Sequence, residues 1–323
     1  MPARSRKTGI AGFLAVVVTV TLACGVTFNP QPAPAALDPT KAALEFQATS
    51  LSLQLTQAAM NAAKPTITPA PPSATATQTV APAPAPAQVQ PSPTEGVEAR
   101  IKAAKVLLYE DTDELGIGQW IQEALDGMGL DYVQMGSYSG DFMQRLNSGT
   151  KYDLIIVGAE DRRKITGEFW DVINTRLTRD KAALIAELWY LRRESNGPIS
   201  KILGPCGVRY RKEYGPAESI YWWTPTNAIF NEPNTVLPLL HYNRYWPDLA
   251  GDKLMTGGSG DPTLLAGLSA LPSSGEAVLA SCFGGRVIIQ TFCNHDYRES
   301  DIIPLWQNYI HYTLKNHFAA LTP

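Results

Sequence analysis

Three short apolar segments constrain the fold of this chain more than any other feature of its sequence. They cover residues 105–109, 152–157 and 182–186. Their apolar residues are continuous rather than alternating, which is typical of strands buried on both faces. Helical segments and one short strand separate them, at 118–128, 131–135, 141–146 and 166–177. Strands that alternate with helices predict an α/β domain of flavodoxin-like type, with a mostly parallel sheet and helices on both faces.

The last third of the chain has a different pattern. Residues 277–282 and 286–290 predict two strands, and Phe283-Gly284-Gly285 between them predicts a late β-hairpin. An amphipathic helix follows at 303–317. Residues 198–270, rich in Trp, Tyr, Pro and Gly, predict an aromatic-rich loop insertion over one edge of the sheet.

The N-terminus predicts export. Residues 1–24 have a basic start, a short apolar run and a small residue directly before Cys24. This is the pattern of a signal peptide with a bacterial lipobox-like end, in which Cys24 would be lipidated. The alternative is an uncleaved signal anchor. Both interpretations tether the protein on the outer side of the cytoplasmic membrane, in the cell envelope.

Residues 25–98 predict a tether rather than a folded domain. Pro, Ala, Thr, Ser and Gln dominate residues 65–93, which offers too little apolar surface to offset the entropy of ordering. Residues 38–64 predict one possible helix within it. The globular domain is expected at 99–321. A formal net charge of −3 offers no basic field for nucleic acid.

The cysteines allow one disulfide bond in this domain. With Cys24 assigned to lipidation, Cys206, Cys282 and Cys293 remain. An extracytoplasmic location permits a disulfide bond between two of them. The sequence leaves open which two residues pair.

Acidic residues follow several of the predicted strands. Ligands of open α/β sheets bind outside the carboxyl ends of the strands, so these residues are candidates to line one crevice. The strand-end residues with polar side chains are Glu110, Asp111, Glu160, Glu187, Asn294, His295 and Asp296. Nearby arginines can neutralise part of this charge, namely Arg162, Arg163, Arg192 and Arg193.

Three functions remain open on these residues. The first is binding of a carbohydrate-like small ligand, with aromatic platforms from Trp222 and Trp223 or from residues 242–246. The second is a hydrolase or metal-dependent enzyme, with His295, Asp296 and Glu187 as catalytic candidates and a divalent cation as an option. The third is a scaffold for an unidentified protein partner. No dense metal-ligand spacing supports a metal centre, and the sequence predicts no other cofactor.

Residues 152–157, the hairpin Gly284-Gly285-Arg286-Val287 and the sequence Asn294-His295-Asp296 resemble one known group. This is the trehalose-utilisation (ThuA-like) group of the class I glutamine amidotransferase-like fold. In that group a similar hairpin leads into a strand that ends in Gly-His-Asp, and here Asn294 stands at the glycine. The resemblance implies an amidotransferase-like fold from residue 103 to about 318.

The resemblance also implies where a glutaminase nucleophile would lie. Catalytic amidotransferases of this fold place a Cys on a tight turn after the strand that corresponds to 182–186. This chain has Glu187-Leu188-Trp189 there. A strained nucleophile elbow needs small neighbours, so we expect no glutaminase activity. Cys293 lies on a different strand and does not replace the missing nucleophile, so binding is favoured over catalysis.

Overall fold

The computed structural model of the protein describes residues 93–161 and 165–321, apart from the side chains of residues 93–95, 114 and 193. The predicted signal, Cys24 and the possible helix at 38–64 lie outside the described residues. The helices are α1 Pro93–Lys102, α2 Trp120–Met128, α3 Ser139–Asn147, α4 Glu168–Arg179, α5 Leu191–Glu194, α6 Ser200–Cys206 and α7 Glu299–Ala320. The strands are β1 Val106–Glu110, β2 Tyr132–Gln134, β3 Leu154–Ala159, β4 Ala183–Leu188, β5 Val208–Tyr214, β6 Tyr221–Trp222, β7 Gly251–Thr256, β8 Thr263–Gly267, β9 Ala277–Cys282 and β10 Val287–Gln290.

The strands form one mixed sheet. Across the described residues it has ten strands, with the main order β2-β1-β3-β4-β10-β9-β7-β5. Strands β2, β1, β3, β4 and β10 are parallel neighbours, and β9, β7 and β5 continue the sheet in antiparallel fashion. Strands β6 and β8 pair beside β9. The predicted α/β fold with a mostly parallel sheet is confirmed.

Helices cover both faces of the parallel part. Helices α1, α2 and α7 pack on one face, where Ile121 of α2 and Trp306 of α7 share a core with Leu108 of β1. Helices α3, α4 and α6 pack on the other face, where Phe142 and Phe169 contribute to the second core. Burial of each large apolar side chain contributes about 1.5–3 kcal/mol, so the two cores hold the strand ends in fixed positions. Among the described residues, no helix is long and apolar enough to cross a lipid bilayer.

Three local predictions were inaccurate. Helix α4 covers Glu168–Arg179, whereas the sequence predicted a helical segment at 166–177. The final helix is longer than 303–317, since α7 covers Glu299–Ala320. Much of 198–270 is not a loop insertion, because it contains α6, β5, β6, β7 and β8. Strand β5 lies at the sheet edge with exposed Arg209 and Lys212, and such a strand lacks the continuous apolar run of a central strand.

One disulfide bond joins a helix to the sheet. Cys206 at the end of α6 is bonded to Cys282 at the end of β9, with a Cα–Cα distance of 5.2 Å. Cys293 is a free, buried thiol. This pairing resolves the alternatives that the sequence left open.

Candidate functional site

The register of the parallel strands brings two carboxyl side chains to one level of the sheet. Glu110 at the end of β1 lies opposite Gly158 of β3, and Gly158 lies opposite Glu187 of β4. Side chains at one level of adjacent strands point to the same face. A Cβ atom at Gly158 would lie 2.4 Å from Ile121 Cδ1 and 3.6 Å from Glu187 Oε2. Glycine at this position therefore leaves the space that Ile121 of α2 and the Glu187 carboxyl group occupy.

Glu160 is the centre of the site. One oxygen, Oε1, accepts hydrogen bonds from the Cys293 thiol, from the His295 backbone N–H at 3.3 Å and from Trp246 Nε1 at 3.4 Å. The other oxygen, Oε2, lies 2.7 Å from His295 Nδ1. The side chain is 1 % exposed, so this carboxyl group depends on protein donors rather than on water. The thiol, the indole and the backbone N–H group donate to this carboxyl group, and His295 Nδ1 donates as well when the imidazole carries a proton on both nitrogens.

His295 is held at both ring nitrogens. Its Nε2 lies 3.1 Å from the Gly118 carbonyl oxygen, and its Nδ1 faces Glu160. A carbonyl oxygen only accepts, so Nε2 carries a proton and donates it. The Trp120 ring stacks on the imidazole at 4.0 Å between ring centroids and 25° between planes. The imidazole is therefore oriented by three contacts, and in this arrangement neither nitrogen is free to contact a ligand.

Asn294 orients Glu187. Its backbone N–H donates to Glu187 Oε1 at 3.3 Å, and its side-chain Nδ2 donates to Oε2 at 2.7 Å. Its Oδ1 accepts hydrogen bonds from Gln290 Nε2 and Trp306 Nε1, at 2.8 and 3.1 Å. Asn294 replaces the glycine of the resembled group, and this network gives the asparagine side chain a definite role.

Asp111 and Asp296 each keep one acceptor atom unused. Asp111 Oδ1 accepts from the Asp161 backbone N–H at 2.9 Å, and Asp296 Oδ1 accepts from the Tyr245 backbone N–H at 2.9 Å. Both side chains are buried, and no residue in the described part of the chain donates a hydrogen bond to either Oδ2 atom. A buried oxygen without a donor is costly, so these two atoms are the clearest positions for an additional hydrogen-bonding group.

Burial raises the pKa values of the carboxyl groups around Glu160. Burial raises the pKa of Glu110 and of Asp111 to about 8, although backbone N–H groups oppose this. It also raises the pKa of Glu187 well above its ordinary value and that of Asp296 to about 6. The negative charge of Glu160 raises all four pKa values further. The carboxyl groups are therefore close enough to affect one another electrostatically.

The predicted arginine partners do not neutralise this cluster within the described structure. Arg192 lies 3.3 Å from Glu213 of β5. Arg162 and Arg163 lie outside the described residues, as does the side chain of Arg193. For residues 93–161 and 165–321, the ion pairs include none between a Lys or Arg and Glu110, Asp111, Glu187 or Asp296.

An aromatic segment covers the site. We call residues 241–247 the cover loop. The backbone N–H groups of Tyr242 and Asn243 donate to the Asp296 carbonyl oxygen at 3.0 Å. The Tyr245 ring lies 5.8 Å from that of His295, and Trp246 lies 5.5 Å from Trp189. The sequence indicated that residues 242–246 could form an aromatic platform. The structure brings Trp246 to Glu160 and Tyr245 to His295, whereas the Tyr242 ring is exposed and lies against Arg298.

Trp222 and Trp223 make their contacts elsewhere. Trp222 stacks on Phe230 at 4.2 Å, and its Nε1 donates to the Val236 carbonyl oxygen at 2.9 Å. Trp223 Nε1 donates to the Ser269 carbonyl oxygen at 2.8 Å. The other predicted site residues lie together around Glu160.

Sequence reasoning missed Trp120 and Gly118 as site residues. The sequence placed Trp120 only within the helical segment 118–128, yet its ring stacks on His295. Its position could have indicated this role, because Trp120 begins the helix that follows β1, and β1 ends at the acidic residue Glu110. Ligands in this fold bind at that connection.

Within residues 93–161 and 165–321, no group of three or more His, Cys, Asp or Glu side chains is arranged to hold a metal ion. The resemblance to the ThuA-like group remains a prediction, since a scan against protein-family models and a search of curated proteins found no match.

Proposed function

We propose that the protein is a membrane-tethered, extracytoplasmic binding domain for a small carbohydrate-like ligand at the carboxyl edge of its sheet. The observation that carries this proposal is the pair of buried, unpartnered oxygens, Asp111 Oδ2 and Asp296 Oδ2. Ligand hydroxyl groups, which both donate and accept, would form hydrogen bonds with them, and each satisfied buried polar atom would remove a penalty of about 1–3 kcal/mol.

The cover loop supports the same proposal. The rings of Tyr245 and Trp246 lie over the cluster, one near His295 and the other near Trp189. Aromatic rings pack well on the apolar faces of sugars. Hydrogen bonds from the loop reach Asp296 and Glu160 of the cluster. Local opening of the loop would give a ligand a path to the buried oxygens.

Two observations favour binding over catalysis. Strand β4 ends with Glu187 and Leu188, and the buried Trp189 follows, so the elbow position has neither a nucleophile nor small neighbours. Burial raises the pKa of the Cys293 thiol well above its ordinary value, and a neutral thiol is a poor nucleophile. His295 has both ring nitrogens engaged, which leaves no free nitrogen for general base catalysis in this arrangement.

The disulfide bond supports the extracytoplasmic location. Bonds such as Cys206–Cys282 form and persist in oxidising compartments. The signal-like N-terminus and Cys24 add independent support from the sequence. Mass spectrometry of the membrane-extracted protein tests the tether. A mature N-terminus at a diacylated Cys24 is expected, and an unmodified Met1 would instead support the signal anchor.

A thermal-shift screen of mono- and disaccharides against the full chain tests the binding proposal. At a concentration 100 times Kd, a ligand stabilises the native state by about 2.7 kcal/mol, which raises Tm by roughly 5–10 °C for a domain of this size. Asp111→Asn and Asp296→Asn should each reduce the shift. Asp171→Asn is the matched control, because Asp171 pairs with Lys201 on the surface of α4.

Two results would contradict the proposal. One is a screen in which no carbohydrate changes Tm, which would favour a scaffold role. The other is a ligand whose shift is unchanged in the double variant Asp111→Asn/Asp296→Asn, which would locate its site elsewhere on the protein.

A further inference from the structure

We propose that the ligand of this site carries a positive charge, as an amino sugar does, with a protonated amine seated between Asp111 and Asp296. This inference rests on the proposed function, since it specifies the chemical class of the ligand at the same site.

The first argument is the uncompensated acidity of the site. Glu110, Asp111, Glu187 and Asp296 are exposed by 2 %, 0 %, 1 % and 1 %. In the described part of the chain, the only ion pair of these acids and of Glu160 is the one between Glu160 and His295, and His241 and His295 also act electrostatically on Asp296. Burial of an unpaired carboxylate is strongly unfavourable, and burial raises the pKa of Glu110 and of Asp111 to about 8, so the free protein keeps these two carboxyl groups neutral near pH 7 by binding protons. A cationic ligand would replace those protons and pair with the carboxylates.

The second argument is the nature of the unused atoms. Asp111 Oδ2 and Asp296 Oδ2 are buried acceptors without donors, and the charge of Glu160 acts on both side chains. An ammonium group has three donors and no acceptor, so every one of its polar atoms can face a carboxylate oxygen. A neutral hydroxyl group brings no charge to replace the protons of the carboxyl groups, and its lone pairs would face any carboxylate oxygen that is ionised. The available atoms therefore suit an amine better than an alcohol.

The cover loop provides a third, weaker preference. The Tyr245 and Trp246 rings lie above the acidic residues, and the face of an aromatic ring attracts a cation. The same rings accept the apolar face of a sugar. A sugar with an amino group could therefore pair with the buried carboxyl groups through its amine and pack against the Tyr245 and Trp246 rings through its apolar face.

Binding of a cation would release protons. The pKa values of Glu110 and Asp111, raised to about 8 by burial, leave both groups protonated near neutral pH. The ionisable groups that act on one another around this position are Glu110, Asp111, Glu160, Asp161, Glu187, Tyr214, His241, Tyr245, Cys293, His295, Asp296 and Tyr297. If one carboxyl group loses its proton on binding, affinity should increase about tenfold from pH 6 to pH 7.

Isothermal titration calorimetry of the full chain tests the inference with matched probes. Glucosamine, galactosamine and mannosamine are each compared with the neutral parent sugar, from which they differ by one amine in place of one hydroxyl. The N-acetyl derivatives keep a substituent at that position without the charge. We expect at least one amino sugar to bind about tenfold or more tightly than its parent and its N-acetyl form. Titrations in buffers of different ionisation enthalpy should also show release of about one proton.

The outcomes distinguish the two proposals. Neutral sugars that bind as tightly as their amines would overturn the positive charge and leave the proposed function standing. Absence of binding by all the probes would overturn both. In Asp111→Asn the preference for the amine should fall at least tenfold, whereas Asp171→Asn should keep it. An unchanged preference in Asp111→Asn would contradict the assigned position of the amine.

Discussion

Replacement of Asp111 by Asn should stabilise the free protein at neutral and alkaline pH. Asn keeps an oxygen that can accept the Asp161 backbone N–H, and it has nearly the same shape. It removes a carboxyl group that is fully buried beside Glu160 and Glu110. The substitution therefore tests whether the acidic cluster lacks charge compensation in the absence of a ligand.

The magnitude follows from the pKa difference between the folded and unfolded states. Burial raises the pKa of Asp111 from 3.8 to about 8. A group whose pKa is higher in the folded state favours folding fully below pH 3.8, and that contribution is lost as pH rises towards 8. Four pKa units correspond to about 5 kcal/mol. We expect Asp111→Asn to recover about 3 kcal/mol at pH 8, because Glu110 and Glu187 remain and keep part of the repulsion.

Urea unfolding of wild type and variant at pH 4, 6 and 8 measures this effect. The free energy of unfolding should be similar for both at pH 4, and the advantage of the variant should grow with pH. At pH 8 the difference corresponds to roughly 6–12 °C in Tm for a domain of this size. A variant that is less stable than wild type at every pH would refute the reasoning, because it would show that Asp111 is ionised and paired in the folded state.

Three further outcomes test other contacts. The disulfide bond spans 76 residues, so its removal in the double variant Cys206→Ser/Cys282→Ser should lower the free energy of unfolding by about 4 kcal/mol. Urea titrations measure this, and an unchanged unfolding midpoint would contradict the expectation. The buried Cys293 thiol should react with Ellman's reagent at least about 100-fold more slowly in the native protein than after unfolding, and equal rates would show an open site. Trp246→Phe removes the indole donor to Glu160 and keeps an aromatic ring. The backbone amide hydrogens of the cover loop should then exchange with solvent about fivefold faster. An unchanged exchange rate would show that this hydrogen bond does not hold the loop.

The parallel half of the sheet was predictable because its strands are buried on both faces. Strands β1, β3 and β4 have continuous apolar runs, and burial on both faces of the sheet is the environment that favours such runs. The antiparallel half was not predictable in the same way. The edge strand β5 has charged residues on its solvent side, and its pattern was not distinguishable from that of a loop.

The candidate site was predictable as a set of residues but not as a set of contacts. The rule that parallel strands end at one edge brought Asp111, Glu160 and Glu187 together. The central role of Glu160 depends on how the segment after β10 turns, which places the Cys293 thiol and the His295 ring on its two oxygens. Local sequence gives no signal for such long-range contacts. The disulfide bond was undetermined for the same reason, because it depends on the relative position of α6 and β9.

The location of the bound ligand tests the central claim most directly. In a ¹⁵N-labelled protein, each tryptophan indole N–H gives a separate NMR signal that reports on its surroundings. On titration with the amino sugar of highest affinity, we predict shifts for Trp120, which stacks on His295, and for Trp246 of the cover loop. The signals of Trp222 and Trp223 should stay in place, since their N–H groups bond to backbone carbonyls elsewhere. Shifts confined to Trp222 and Trp223 would contradict a binding site at the carboxyl edge of the sheet.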